Sequence, residues 1–112
     1  MKLLHLAQIP AEGVAHQPEI KKQVLIKNGE IPQLTGFSQA VFKPGQACEE
    51  HRHPTMYEVY FLLEGEATLF ISGREVKAAK NDCVVIEPGE PHRAVNNSRQ
   101  DFIWIYFGVA TD

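Results

Sequence analysis

A chain of 112 residues with 44 % hydrophobic residues, 22 % charged residues and a net charge of −3 is sized for one domain with an ordinary core. That apolar content argues against disorder, and the slight excess of acid removes the electrostatic footprint of a nucleic-acid binder. No apolar run approaches membrane-spanning length, and Cys48 and Cys83 are too few to staple a fold, so a reduced, cytoplasmic protein without nucleic-acid or membrane partners is expected.

In chain order, Lys2 to Ala7 reads as a short first strand rather than a leader, since MKLLHLAQIPAEG has no sustained apolar core or small-residue cleavage site. Pro10 to Gly13 is expected to break it, and the polar stretch His16 to Glu19 to be irregular. Val24-Leu25-Ile26 is the next strand, closed by the turn signal Asn28-Gly29. His5 and His16 have no partner at ligand spacing and read as ordinary histidines. Gly36 to Phe42 reads as a strand leading into the Pro44-Gly45 turn. Phe37, Gln39 and Val41 share one face; Ser38, Ala40 and Phe42 share the other. If the first set faces inward, Gln39 addresses a ligand or water; alternation alone leaves the register open.

From Tyr57 the sequence YEVYFLLEGEATLFISG continues as a meander of hairpins. Glu58, Tyr60 and Leu62 alternate with Val59, Phe61 and Leu63, and neither set is purely polar, which predicts a strand buried on both faces. Glu64-Gly65-Glu66 turns the chain into Ala67 to Ile71, and Ser72-Gly73 returns it through Arg74 to Ala78. Cys83 to Ile86 is expected as another buried strand, and His92 to Val95 follows the Pro88-Gly89-Glu90-Pro91 turn. The last strand, Phe102 to Phe107, is apolar on both faces. No stretch of useful length carries a helical period, so the chain reads as all-β.

The chemistry concentrates between Gly45 and Gly65. His51 and His53 are two residues apart, so on an extended strand both imidazoles reach one point. Glu58 lies past the bend expected at Pro54-Thr55 and can return to that point on the next strand. His92 supplies a fourth candidate after its own turn. The H-x-H pair alone also occurs on solvated edge strands; with Glu58 and His92 it makes a donor set of three imidazoles and one carboxylate. That set suits one divalent transition metal among Mn, Fe, Co, Ni, Cu and Zn.

These residues resemble the two motifs of the cupin superfamily. The first, G-x5-H-x-H-x4-E-x6-G, is matched by Gly45, His51, His53, Glu58 and Gly65. The second, G-x5-P-x-G-x2-H-x3-N, is matched by Gly89, His92 and Asn96, while Asn81 stands at the first glycine and Glu87 at the proline. Asn tolerates positive φ better than other non-glycine residues, so Asn81 can still make its turn. The resemblance implies a double-stranded β-helix, a jelly-roll β-barrel, over residues 37–112. Residues 1–36 would then supply N-terminal strands packed on that barrel or on a partner subunit. It also implies that a second subunit covers the outer apolar face of Phe102 to Phe107, giving a homodimer. Similar proteins include dioxygenases, isomerases, decarboxylases, lyases and plain ligand binders. The expectation is therefore a small metalloenzyme for an oxygenated or carboxylated small molecule, with a non-catalytic metal-dependent binder or sensor as the alternative.

Other residues carry weaker readings. Tyr60, Tyr106, Trp104 and Phe42 either line the barrel pocket or are plain core. Tyr57 sits where its hydroxyl would reach a ligand at the rim, and Met56 reads as a rim contact. Glu49 is a rim carboxylate, a base or a partner to a ligand residue, and no general base is identifiable. Arg52 and Arg93 read as structural or interfacial, and Asn96 as ordering the end of its strand. Cys48 should point away from His51 on a regular strand, and both cysteines read as small buried or half-buried hydrophobes.

Overall fold

Alternation along three strands decides which side of the fold is the inside. The computed structural model describes Met1–Asp112. Its strands are β1 (Ala11–Val14), β2 (Gln17–Ile26), β3 (Leu34–Phe42), β4 (Met56–Glu64), β5 (Glu66–Ile71), β6 (Arg74–Ala79), β7 (Cys83–Ile86), β8 (His92–Val95) and β9 (Phe102–Ala110). On β3 the buried residues are Ser38, Ala40 and Phe42; on β4 they are Glu58, Tyr60 and Leu62; on β9 they include Phe102 and Trp104. The strands pair antiparallel into a six-stranded sheet, β1-β2-β3-β9-β4-β7, and a three-stranded sheet, β6-β5-β8. The all-β jelly-roll expectation is met.

The core lies between the two sheets. Phe42 stacks on Phe102 with ring centroids 4.5 Å apart, and Trp104 meets Phe42 edge-on at 5.4 Å. Leu62 and Leu69 are fully enclosed beside them, each with 1 % exposure or less. Gly65 turns β4 into β5 at φ +81°, and a Cβ there would stand 2.5 Å from the Asp101 carbonyl oxygen. Both the dihedral and the close approach to β9 demand glycine. Asn81 adopts φ +74° as its composition allows, and its N–H donates to the Leu62 carbonyl at 2.8 Å.

Val24 to Ile26 lies in a strand followed by a turn at Asn28-Gly29, as expected, but the chain before Ile20 departs from expectation. Lys2 to Ala7 is not a strand: Leu3 and Leu4 are exposed, and the chain makes a 3-10 turn at Leu6–Gln8 with His5 Nδ1 accepting from the Ala7 N–H. Pro10 to Gly13 does not break a strand either, since Ala11–Val14 pairs with β2. Gly13 is there because the two strands nearly touch; a Cβ would sit 2.6 Å from Pro18 Cα. The polar stretch His16 to Glu19 opens β2 immediately after a tight turn in which His16 takes φ +69°. Polar composition misled here because β1 and β2 form one end of the sheet, where few positions meet the core.

Two further readings change, and one left open is decided. Cys83 to Ile86 is an edge strand, not a buried one, and Cys83 is exposed. The set Phe37, Gln39 and Val41 faces outward, so Gln39 addresses no internal ligand and Ser38 holds the inward position. On β4 only one face is fully buried; Val59, Phe61 and Leu63 are half-buried on the outer side.

Candidate metal centre

His51 and His53 are not carried on a regular strand. Their segment is held by isolated bridges, Ala47 to Val95 and His51 to His92. The second bridge is reciprocal: His51 N–H donates to the His92 carbonyl and His92 N–H to the His51 carbonyl, each at 2.9 Å. It sets the two rings side by side, centroids 4.3 Å apart. The Pro88-Gly89 turn adds a bond from the Gly89 N–H to the His53 carbonyl at 2.9 Å. The chain then turns at Pro54-Thr55 and brings Glu58 back on the inner face of β4.

The result is convergent. One donor atom from each of His51, His53, Glu58 and His92 lies within 4.8 Å of every other. Glu58 Oε1 is 2.9 Å from His92 Nε2, 3.2 Å from His53 Nε2 and 3.9 Å from His51 Nε2. The outer nitrogens are spoken for: His51 Nδ1 meets the Glu49 carbonyl at 3.0 Å and His92 Nδ1 meets the Glu90 carbonyl at 2.9 Å. A carbonyl only accepts, so both Nδ1 atoms carry hydrogen and both Nε2 atoms face the carboxylate. The tautomers are therefore set by backbone groups already in place. Oriented imidazole Nε2 atoms and one carboxylate oxygen fit a divalent transition metal of the series Mn to Zn.

Electrostatics follow this packing. Burial pushes the Glu58 carboxyl up, but the hydrogen bond from Nε2 of the His92 ring in its protonated form, the charges of His53 and His92 and the bond from Tyr60 hold it below the usual carboxylate value. Burial pulls His92 down, and its bonds to Glu58 and the Glu90 carbonyl outweigh that and raise it. For His53 burial wins over the attraction of Glu58, with His51 and His92 adding repulsion, and the ring is held below its ordinary value.

A cavity of about 660 Å³ opens beside this cluster. His51, His53 and Glu58 form part of its wall, whereas His92 sits behind Glu58 with 3 % exposure. Phe42, Tyr60, Trp104 and Tyr106 all border it, but the first three are buried and make its floor, leaving Tyr106 as the half-open ring. Burial and the charge of Glu58 push the Tyr106 phenol up to about 12, although Ser38 across the strand pair pulls the other way. Sequence reasoning missed Ser38, and it missed Val24 and Ile26, which bring β2 into the cavity wall. The alternation of β3 carried the signal for Ser38, had the register been known, whereas β2 has no alternating burial and shifts register between Val24 and Ile26.

Other expectations sort as follows. Tyr57 lies on the outer face with 41 % exposure, because β4 turns odd-numbered residues away from the cavity; Met56, its neighbour, is the one that lines it. Cys48 does border the cavity, since its segment is not a regular strand, and its sulfur accepts from the Ala94 N–H at 3.3 Å. It is not among the clustered donors. Glu49 is an exposed rim residue that serves His51 through its carbonyl. Arg93 lies over the Phe70 ring at 4.2 Å, a structural contact. His16 also borders the cavity, and neither it nor His5 joins the cluster.

Comparisons with known proteins agree with this architecture. The tetracenomycin polyketide synthase protein TcmJ of Streptomyces glaucescens is 26 % identical over 93 residues, which are 80 % of this chain and 62 % of that protein. The oxalate-binding protein of Thermotoga maritima is 28 % identical over 65 residues, 58 % of this chain and 54 % of that protein. The chain thus spans less than two thirds of the length of either relative. The crystal structure of a protein described as a predicted oxalate decarboxylase from Thermotoga maritima superposes with a TM-score of 0.89 at 18 % identity, covering 97 % of this chain and 99 % of that one; the likeness is one of fold. A family model described as the cupin domain matches residues 38–108, well over half of the sequence, and the chain belongs to the cupin family.

Proposed function

We propose that His51, His53, Glu58 and His92 together hold one divalent transition metal, and that the protein is a small metalloenzyme acting on an oxygenated or carboxylated molecule in the adjoining cavity. The observation that carries this reading is the convergence of four donor atoms within 4.8 Å on the wall of a cavity of about 660 Å³. When bound, the ion would supply Lewis-acid polarisation of a ligand oxygen. The chain's own residues do the rest. The Glu49 and Glu90 carbonyls orient the rings of His51 and His92, and the buried floor of Phe42, Trp104 and Tyr60 keeps water from the inner side of the cluster. Tyr106, with its phenol pushed up to about 12, stays protonated and is available as a hydrogen-bond donor facing the cavity.

A non-catalytic binder is the second reading, and two observations favour it. The similarity to an oxalate-binding protein is one. The other is that the remaining cavity carboxylates, Glu12, Glu49 and Glu50, are all exposed, so none is held in place as a buried base. A panel of small hydroxy, oxo and carboxylic acids, assayed with the protein loaded in turn with each metal from Mn to Zn, separates the two. Turnover of at least one compound is expected; saturable binding without turnover throughout would contradict the enzyme and favour the binder. We further propose that the protein works in the cytoplasm as a homodimer. Support comes from the half-buried apolar outer face of the six-stranded sheet and from unpaired cysteines.

A further inference from the structure

We infer that Tyr60 is a positioning residue that ties back one oxygen of Glu58, so that the carboxylate offers only the other to the three imidazoles. This rests on the metal-binding reading above. The two carboxylate oxygens of Glu58 have separate surroundings. Oε1 faces His92, His53 and His51, whereas Oε2 accepts the Tyr60 hydroxyl at 3.0 Å. Tyr60 is two residues along β4, on the same inner face, so the strand itself delivers its hydroxyl to the carboxylate. The ring packs against two residues of the neighbouring strand β9, Trp104 with centroids 4.3 Å apart and Tyr106 at 5.4 Å, which hold it in place.

The consequence is geometric. A free carboxylate rotates about its terminal bond and can present both oxygens to a cation. With Oε2 held by a buried donor, rotation would break a hydrogen bond inside a low-dielectric wall, where an orphaned polar group is expensive. An ionised carboxylate only accepts, so in this contact the Tyr60 hydroxyl is the donor. Tyr60 therefore limits Glu58 to one-oxygen ligation and leaves room at the centre for a ligand from the cavity.

The test is a double-mutant cycle read by zinc titration of metal-stripped protein. Tyr60→Phe removes only the hydroxyl and keeps the ring packed. In the wild-type background it should weaken zinc binding by ~10–100-fold, the usual effect of losing a partner of a ligand residue. In a Glu58→Ala background it should weaken binding no further, because Tyr60 acts only through that carboxylate. Tyr60→Leu, which also lacks a donor, should show the same loss of additivity and serves if the phenylalanine variant folds poorly. Unchanged or tighter zinc binding by Tyr60→Phe, or equal weakening in both backgrounds, would overturn the inference. A flat wild-type titration would instead overturn the metal centre on which it rests, so the wild-type trace tells the two failures apart.

Discussion

Glu58 is the residue on which the site turns, since it touches all three histidines and the one buried tyrosine hydroxyl. Glu58→Gln keeps the shape and removes the charge. It should leave the circular dichroism spectrum unchanged while weakening metal binding by at least ~10-fold; unchanged affinity in a metal titration would remove Glu58 from the ligand set. The histidines and Glu58 were legible in the sequence because turn residues fix their spacing: Pro54-Thr55 returns the chain to Glu58, and the Pro88-Gly89 turn delivers His92. Tyr57 was misplaced, and Gln39 left undecided, for a different reason. Each sits in a strand whose two faces are both rich in apolar residues, and nothing local says which face is inside. A wrong choice there moves every side chain of the strand to the opposite side.

At the scale of elements, the fold depends on how strand ends are tied off. Asn96 ends β8 with 0 % exposure and donates from Nδ2 to the carbonyls of Phe42 and Gln100, both at 2.8 Å. Its Oδ1 accepts from the Ser98 N–H and hydroxyl, so one side chain joins β3, β8 and the approach to β9. Asn96→Ala removes a donor from the Phe42 carbonyl in the buried bond and the acceptor of the part-buried Ser98 N–H, and should destabilise the fold by ~1–3 kcal/mol for each group left unsatisfied. Chemical denaturation measures that loss, and metal stoichiometry in the folded fraction should be unchanged; a variant of wild-type stability would show that water replaces the side chain without penalty. The strand ends of the barrel could be read because Gly, Asn and Pro mark them. The chain up to Glu19 could not, because β1 and the start of β2 lie at one end of the sheet with polar sequences, and their pairing depends on neighbours further along the chain.

At the scale of the molecule, one feature of the surface asks for a partner and one cluster asks for a metal. On the outer face of the six-stranded sheet, Phe37, Phe107, Val59 and Val85 lie in register across β3, β9, β4 and β7, with Val85 54 % exposed. Ile105 and Phe61 form the next row. The N-terminal turn covers only the β2 side, where Gln23 holds the carbonyls of Leu6 and Ile9 at 2.9 Å. Fully burying a large apolar side chain is worth ~1.5–3 kcal/mol, so a second copy covering several of these offsets the cost of association. Light scattering should give a dimer at micromolar concentration and a monomer for Ile105→Lys; a wild-type monomer at high concentration would contradict the shared interface. The central claim is the metal centre itself. Elemental analysis of tag-free protein purified without added metal addresses it directly, with His51→Ala and His53→Ala prepared alongside. The account predicts close to one divalent transition metal per wild-type chain and loss of most of it in each variant. Wild-type protein without such a metal even after reloading, or either variant retaining the wild-type level, would contradict it.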